Sequence, residues 1–146
     1  MAIDGGGGGG GPVGVSNSFT GGSAALEIAG FGFAYAFSGG INLDNQTKTF
    51  LEFRTGNFLL VAQVQTTLKT GNLNLGKKVS TKISLNGSPI SDMGTKVGNT
   101  LSGSFDFDPI NIIVPSYTEV KVEVTTDDTE GDQPFYVTLT GRIYSD

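Results

Sequence analysis

Three groups of residues have the types and spacing to do chemistry. The densest is the acidic run Asp127-Asp128-Thr129-Glu130-Gly131-Asp132. Hard carboxylate oxygens at close spacing suit Ca²⁺, which makes Asp127, Asp128, Glu130 and Asp132 the candidate metal ligands. Their spacing does not follow the EF-hand loop, and a solvated hairpin tip accounts for the same residues. The second group is Asp106 and Asp108, two apart on one strand face. Paired carboxylates can do acid–base work, but no third polar partner is evident. Outward surface positions, or contacts to Lys on a neighbouring subunit, account for them more simply. The third is the run Gly5–Gly11. No strand precedes it and no Lys-Ser/Thr pair follows it, so it is not a phosphate-binding loop.

Absent residue types narrow the chemistry further. The 146 residues include no His, Cys or Trp. The usual proton shuttle, thiol nucleophile and soft metal ligands are therefore missing. Ser and Thr are plentiful but have no His as base. Lys-assisted Ser catalysis remains formally open, and nothing marks one Ser–Lys pair over another. The sequence predicts no enzyme and no cofactor. Glycan stacking would fall to Tyr117, Tyr136 and Tyr144, although Tyr at a sandwich edge more often packs with its hydroxyl in water.

Charge excludes other partners. The net charge is −5, and the nine basic residues are scattered apart from Lys77-Lys78. A nucleic-acid surface needs a basic stripe, so none is expected. No apolar run approaches the ~20 residues of a membrane helix. Met1-Ala2-Ile3-Asp4 lacks a signal-peptide layout, so synthesis in a cytoplasm is expected. Without cysteine, stability and assembly cannot depend on disulfides.

The elements that must position these groups are strands. Residues 1–22 hold most of the Gly-rich sequence and little to bury. They read as a flexible arm, either a plain linker or a segment that orders on a partner subunit. From residue 23 to 146 apolar residues alternate with polar ones. Phe31, Phe33, Tyr35 and Phe37 recur at a spacing of two, with Gly32, Ala34 and Ala36 between them. That puts rings on one face and small residues on the other. Thr47–Arg54 places Thr49, Leu51 and Phe53 on one face, while Phe50 breaks the pattern and suggests a subunit contact. Phe58–Lys69, Lys78–Leu85, Glu119–Thr125 and Phe135–Tyr144 alternate as strands. Asn86-Gly87 is a type I′ hairpin signal. Ser88–Met93 reads as the short returning strand and Gly94–Asn99 as a loop. Pro109 predicts a break within Leu101–Val114. Eight or nine strands with regular turns predict an antiparallel β-sandwich, a jelly roll of about eight strands, carrying the Gly-rich arm.

Several segments resemble small β-sandwich structural proteins of tailed aquatic phages. They are Ala25–Gly30, Phe33–Gly39, Thr49–Gly56, Ile112–Pro115, Thr118–Val120 and Leu139–Tyr144. The closing Gly141-Arg142-Ile143-Tyr144 also resembles the last strand of trimeric jelly rolls of the tumour-necrosis-factor and C1q type. The resemblance implies a capsid cement (decoration) protein or head-fibre module, trimeric, on the exterior of a virion, with the major capsid protein and its own copies as partners. On that reading Phe31, Phe33, Tyr35 and Phe37 serve the core or an intersubunit seam, and Phe50, Tyr136, Arg142 and Tyr144 the outer contact. A glycan- or receptor-binding module of a fibre and a subunit of an extracellular filament are the rival readings.

Overall fold

The computed structural model describes residues 26–28, 30–43, 46–69, 72–97, 101–128 and 134–144. The Gly-rich arm, its boundary near residue 22, Glu130, Asp132 and the side chain of Phe31 lie outside the described residues. In chain order the strands are β1 (Glu27–Ile28), β2 (Phe33–Phe37), β3 (Ile41–Asn42), β4 (Thr47–Arg54), β5 (Leu59–Leu68), β6 (Asn72–Leu73), β7 (Lys78–Leu85), β8 (Ser88–Lys96), β9 (Leu101–Ser102), β10 (Phe105–Asp106), β11 (Ile110–Val114), β12 (Glu119–Thr126) and β13 (Pro134–Tyr144). A 3₁₀ turn at Gly30–Gly32 leads into β2.

Period-two alternation makes each long strand two-faced. Leu60, Ala62 and Val64 of β5, Val79 and Ile83 of β7, Val120, Val122 and Val124 of β12, and Phe135, Val137 and Leu139 of β13 are all buried. They form one core between two antiparallel sheets. The first sheet runs β1-β2-β13-β5-β10. Within it β3 extends the lane of β2 along β13, and β11 extends the lane of β10 along β5. The second sheet runs β4-β12-β7-β8. With β2–β3 and β10–β11 each taken as one lane, the chain passes between the two sheets from lane to lane, the β7–β8 hairpin excepted. The outcome is a jelly roll: two four-lane sheets with β1 added at one edge and the small β6-β9 ribbon outside.

Local chemistry fixes the corners. Asn86 and Gly87 have φ of 50° and 83°, the left-handed pair a type I′ hairpin needs. Thr55 Oγ1 accepts the Thr118 N–H at 2.8 Å and donates to the Pro115 carbonyl at 2.8 Å, tying the β4 end to the turn before β12. The break expected at Pro109 separates β10 from β11.

Three expectations need correction. First, the β4–β12 register runs Leu51↔Val122 and then Thr49↔Glu123, so Phe50 is an extra, bulged residue. The bulge turns Phe50 inward beside Leu51, and both have 0% exposure. Phe50 is therefore core and not an outer contact, and Thr49 moves to the outer face. Second, β8 does not stop at Met93 but continues to Lys96, because Gly94, Thr95 and Lys96 pair with Ser80, Val79 and Lys78. Third, the outward rings of β2 are not core; Ala34 and Ala36 are the buried residues of that strand.

One buried polar contact joins the two sheets. Thr66 of β5 and Thr81 of β7 share a hydrogen bond, Oγ1 to Oγ1, at 2.7 Å. Thr66→Val alone is expected to cost about 1–3 kcal/mol, because it leaves the Thr81 hydroxyl buried without this partner. The double Thr66→Val/Thr81→Val variant should cost less than the two single changes added together. Urea unfolding of the four proteins measures the coupling, and additive losses would show that the bond contributes nothing.

Candidate interaction surface

Residues paired across antiparallel strands share a face, so the registers sort the outward side chains into rows. On the first sheet one row is Phe33–Arg142–Val61–Ile113. The next is Glu27–Tyr35–Thr140–Gln63–Asn111. A third is Phe37–Thr138–Gln65, and Tyr144 pairs with Leu59 beyond the first. Phe33, Tyr35 and Phe37 are 50%, 49% and 55% exposed, and Ile113 reaches 62%. The Arg142 guanidinium carbon lies 4.6 Å from the centre of the Phe33 ring. Phe37 meets Tyr136 edge-on with centroids 5.3 Å apart. A shallow depression lined by Val61, Gln63, Asn111, Ile113 and Thr140 crosses the middle of this face.

The second sheet presents the opposite chemistry. Its outward rows include Arg54–Glu119, Glu52–Lys121–Ser84 and Thr49–Glu123–Lys82–Asp92, with Lys78 opposite Lys96 at one end. Basic and acidic residues interleave, and Lys82 lies 3.9 Å from Glu123. Such a surface is well solvated and each exposed pair contributes little. On the first sheet the outward rows carry only Glu27, Arg142 and, opposite Thr67 in the row of Tyr136, Asp106 as charges. The sandwich is thus two-sided: one face ring-bearing and nearly uncharged, the other charged in both signs.

Phe33, Tyr35, Phe37, Tyr136, Arg142 and Tyr144 all come together on the first face, whereas Phe50 does not. Leu59, Val61 and Ile113 belong there too and were missed from sequence. Parity was their signal: Val61 falls between the inward Leu60 and Ala62, and Ile113 between the inward Ile112 and Val114. A run of apolar residues hides the outward members among the inward ones.

The acidic loop proves partly structural. Asp128 has 0% exposure. Its Oδ2 accepts the Asn74 N–H at 2.7 Å, and its own N–H donates to Thr126 Oγ1 at 3.1 Å. Asp127 Oδ1 accepts the Lys78 N–H at 2.8 Å. Both carboxylates hold the 74–78 loop against β12, so the solvated-tip reading is wrong for Asp128. Among the described residues no three His, Cys, Asp or Glu gather as metal ligands. Asp128→Ala is expected to destabilise by about 1–3 kcal/mol, since it removes a buried carboxylate that accepts from the half-buried Asn74 amide. A denaturant midpoint unchanged from wild type would contradict that role. Asp106 Oδ1 accepts from Thr67 Oγ1 at 2.8 Å, and both Asp106 and Asp108 are exposed. They are placed as surface residues.

No protein-family model matches this chain, and no characterised protein matches it in sequence. Solved structures do. The chain is similar to one in the crystal structure of the T13 IBDV viral particle, with 18% identity, 70% of this chain and 28% of that chain covered, and a TM-score of 0.39. It is also similar to one in the structure of the infectious bursal disease virus Gx strain, with 17% identity, coverage of 74% and 30%, and a TM-score of 0.36. A third is the VP2 subviral particle of infectious bursal disease virus, with 15% identity, coverage of 82% and 34%, and a TM-score of 0.37. The chain spans 28–34% of the length of these chains.

Proposed function

We propose that this chain is a non-enzymatic virion structural protein, a trimeric cement (decoration) module that binds the outside of a capsid lattice. The observation that carries this reading is the two-sidedness of the sandwich. A nearly uncharged face with exposed Phe33, Tyr35 and Phe37 fits a protein partner. The charged second face fits solvent on the virion exterior. The sequence resemblance to phage structural proteins points the same way. Phe33, Tyr35 and Phe37, with Phe31, form the seam between copies. Tyr136, Arg142 and Tyr144 meet the major capsid protein, and the arm over residues 1–22 reaches a neighbouring subunit. The mechanism is mass action: a ligand that binds only the assembled shell stabilises it. Three linked copies turn modest single contacts into strong attachment.

A glycan-binding fibre module is the second reading, favoured by the row Tyr35–Thr140–Gln63–Asn111, whose hydroxyls and amides lie exposed beside aromatic rings. Light scattering of the full chain, followed by co-sedimentation with capsid shells lacking it, separates the two. A trimer that pellets with shells supports the cement reading. A chain that ignores shells but binds neutral oligosaccharides, and loses them on Gln63→Ala, supports the second.

A further inference from the structure

Edge strands expose unpaired N–H and C=O groups, and soluble proteins blunt them with charges, prolines, bulges or shortness. Most edges of this sandwich are blunted. β4 carries the Phe50 bulge together with Lys48, Glu52 and Arg54. β8 carries Pro89, a register shift at Ile90, Asp92 and Lys96. β1 is two residues long and includes Glu27. The lane of β10 carries Asp106, followed by Asp108 and Pro109.

β11 is the longest exception; β2 is uncharged too, but β1 covers it at Ala34 and Tyr35. Its sequence, Ile110-Asn111-Ile112-Ile113-Val114, contains no charge, proline or glycine. Its register with β5 is unbroken from Ile110↔Val64 to Val114↔Leu60. Among the described residues it pairs with β5 alone, so its other edge is unpaired. Four of its five residues are β-branched isoleucine or valine, the types that suit strands best. An edge left open where the others are guarded marks a place where pairing is wanted.

We propose that β11 pairs antiparallel with β11 of a second copy, across a two-fold axis at Ile112. That axis is the one register that pairs all five residues, Ile110 with Val114 of the second copy and Asn111 with its Ile113. Charge selects the antiparallel sense and tolerates a like partner. The nearest charge, Asp108, lies four residues before Ile112. Antiparallel pairing sets it opposite Ser116 of the second copy and keeps the two Asp108 residues roughly 26 Å apart, at ~3.3 Å per residue. That is well beyond the Debye length of about 8 Å. Parallel pairing would set the two carboxylates side by side. The join also carries the first sheet onward, so the row ending in Val61 and Ile113 continues into Asn111 of the second copy. This contact stands apart from the proposed trimer: it would link trimers into a lattice, and it holds equally if the chain forms no trimer.

The chain has no cysteine, so engineered thiols report the register cleanly. Full-length Asn111→Cys and Ile113→Cys variants are made, both at exposed positions, and are oxidised alone and mixed. Opposed residues have Cβ atoms about 4.5–5.5 Å apart, close enough to bridge with small adjustment. The mixture should cross-link strongly and each variant alone weakly. In sedimentation velocity Ile113→Lys should weaken the two-fold association at least tenfold. Stronger cross-linking within either variant alone than in the mixture overturns the proposed register. Absence of any cross-link, or equal association of Ile113→Lys and wild type, overturns the contact.

Discussion

Replacing Gly141 with alanine should lower the unfolding free energy by about 3 kcal/mol, and the melting temperature by roughly 6–12 °C. Gly141 sits in β13 between Ala34 of β2 and Ala62 of β5. A methyl group at Gly141 would overlap the Val61 carbonyl oxygen and lie 2.7 Å from the Ala62 Cα and 2.8 Å from its Cβ. These are mostly backbone atoms of a central strand, which cannot swing aside as the end of a lysine could. Relief requires β5 and β13 to part, and these two strands share a register ten residues long, from Phe135↔Leu68 to Tyr144↔Leu59. Gly30→Ala supplies the control, since a Cβ there meets nothing within 4 Å. Calorimetry on the two variants decides the matter. Equal melting of Gly141→Ala and wild type would mean that β5 and β13 do not approach as described.

The legible parts of this fold were those in which local pattern and tertiary position agree. β7, β12 and β13 show alternation with one mainly apolar face, broken only by Thr81 and Thr126, and most of their inward residues follow from parity. Asn86-Gly87 specifies its own turn because both residues tolerate positive φ. Phe50 was not legible. A bulge adds one residue to a strand without leaving a distinctive residue type, and only the register against Val122 and Glu123 exposes it. The rings of β2 were legible as a face, but their direction was not. Alternating Phe and Ala satisfies the strand pattern either way up, and only the register, which sets Ala34 beside Gly141 and Ala36 beside the buried Leu139, shows that the alanines face inward. Asp128 misled for a related reason. A carboxylate in a charged loop looks solvated until its acceptor role toward the Asn74 amide, 54 residues away in sequence, is seen.

Changing Phe33, Tyr35 and Phe37 together to serine should leave a folded sandwich that no longer docks. All three side chains are about half exposed and the buried positions of β2 are alanines, so loss of the rings opens no core cavity. The cost to stability should stay near 1–2 kcal/mol, mainly from lower strand propensity and lost cross-strand contacts. Docking would bury the remaining half of each ring. At half of the ~1.5–3 kcal/mol that full burial of such a side chain contributes, three rings supply about 2–4 kcal/mol, or roughly a 10²–10³-fold loss of affinity on their removal. Lys82→Ala on the charged face tests the converse. It breaks an exposed 3.9 Å ion pair worth at most about 1 kcal/mol and should leave docking intact. Circular dichroism establishes folding, while light scattering and co-sedimentation with shells measure association. A triple variant that assembles and pellets as wild type would move the interface off the first sheet, and a defect in Lys82→Ala alone would move it to the second. Because the two faces differ so sharply in charge, the two variants cannot fail for the same reason, and their contrast identifies the face that meets a partner.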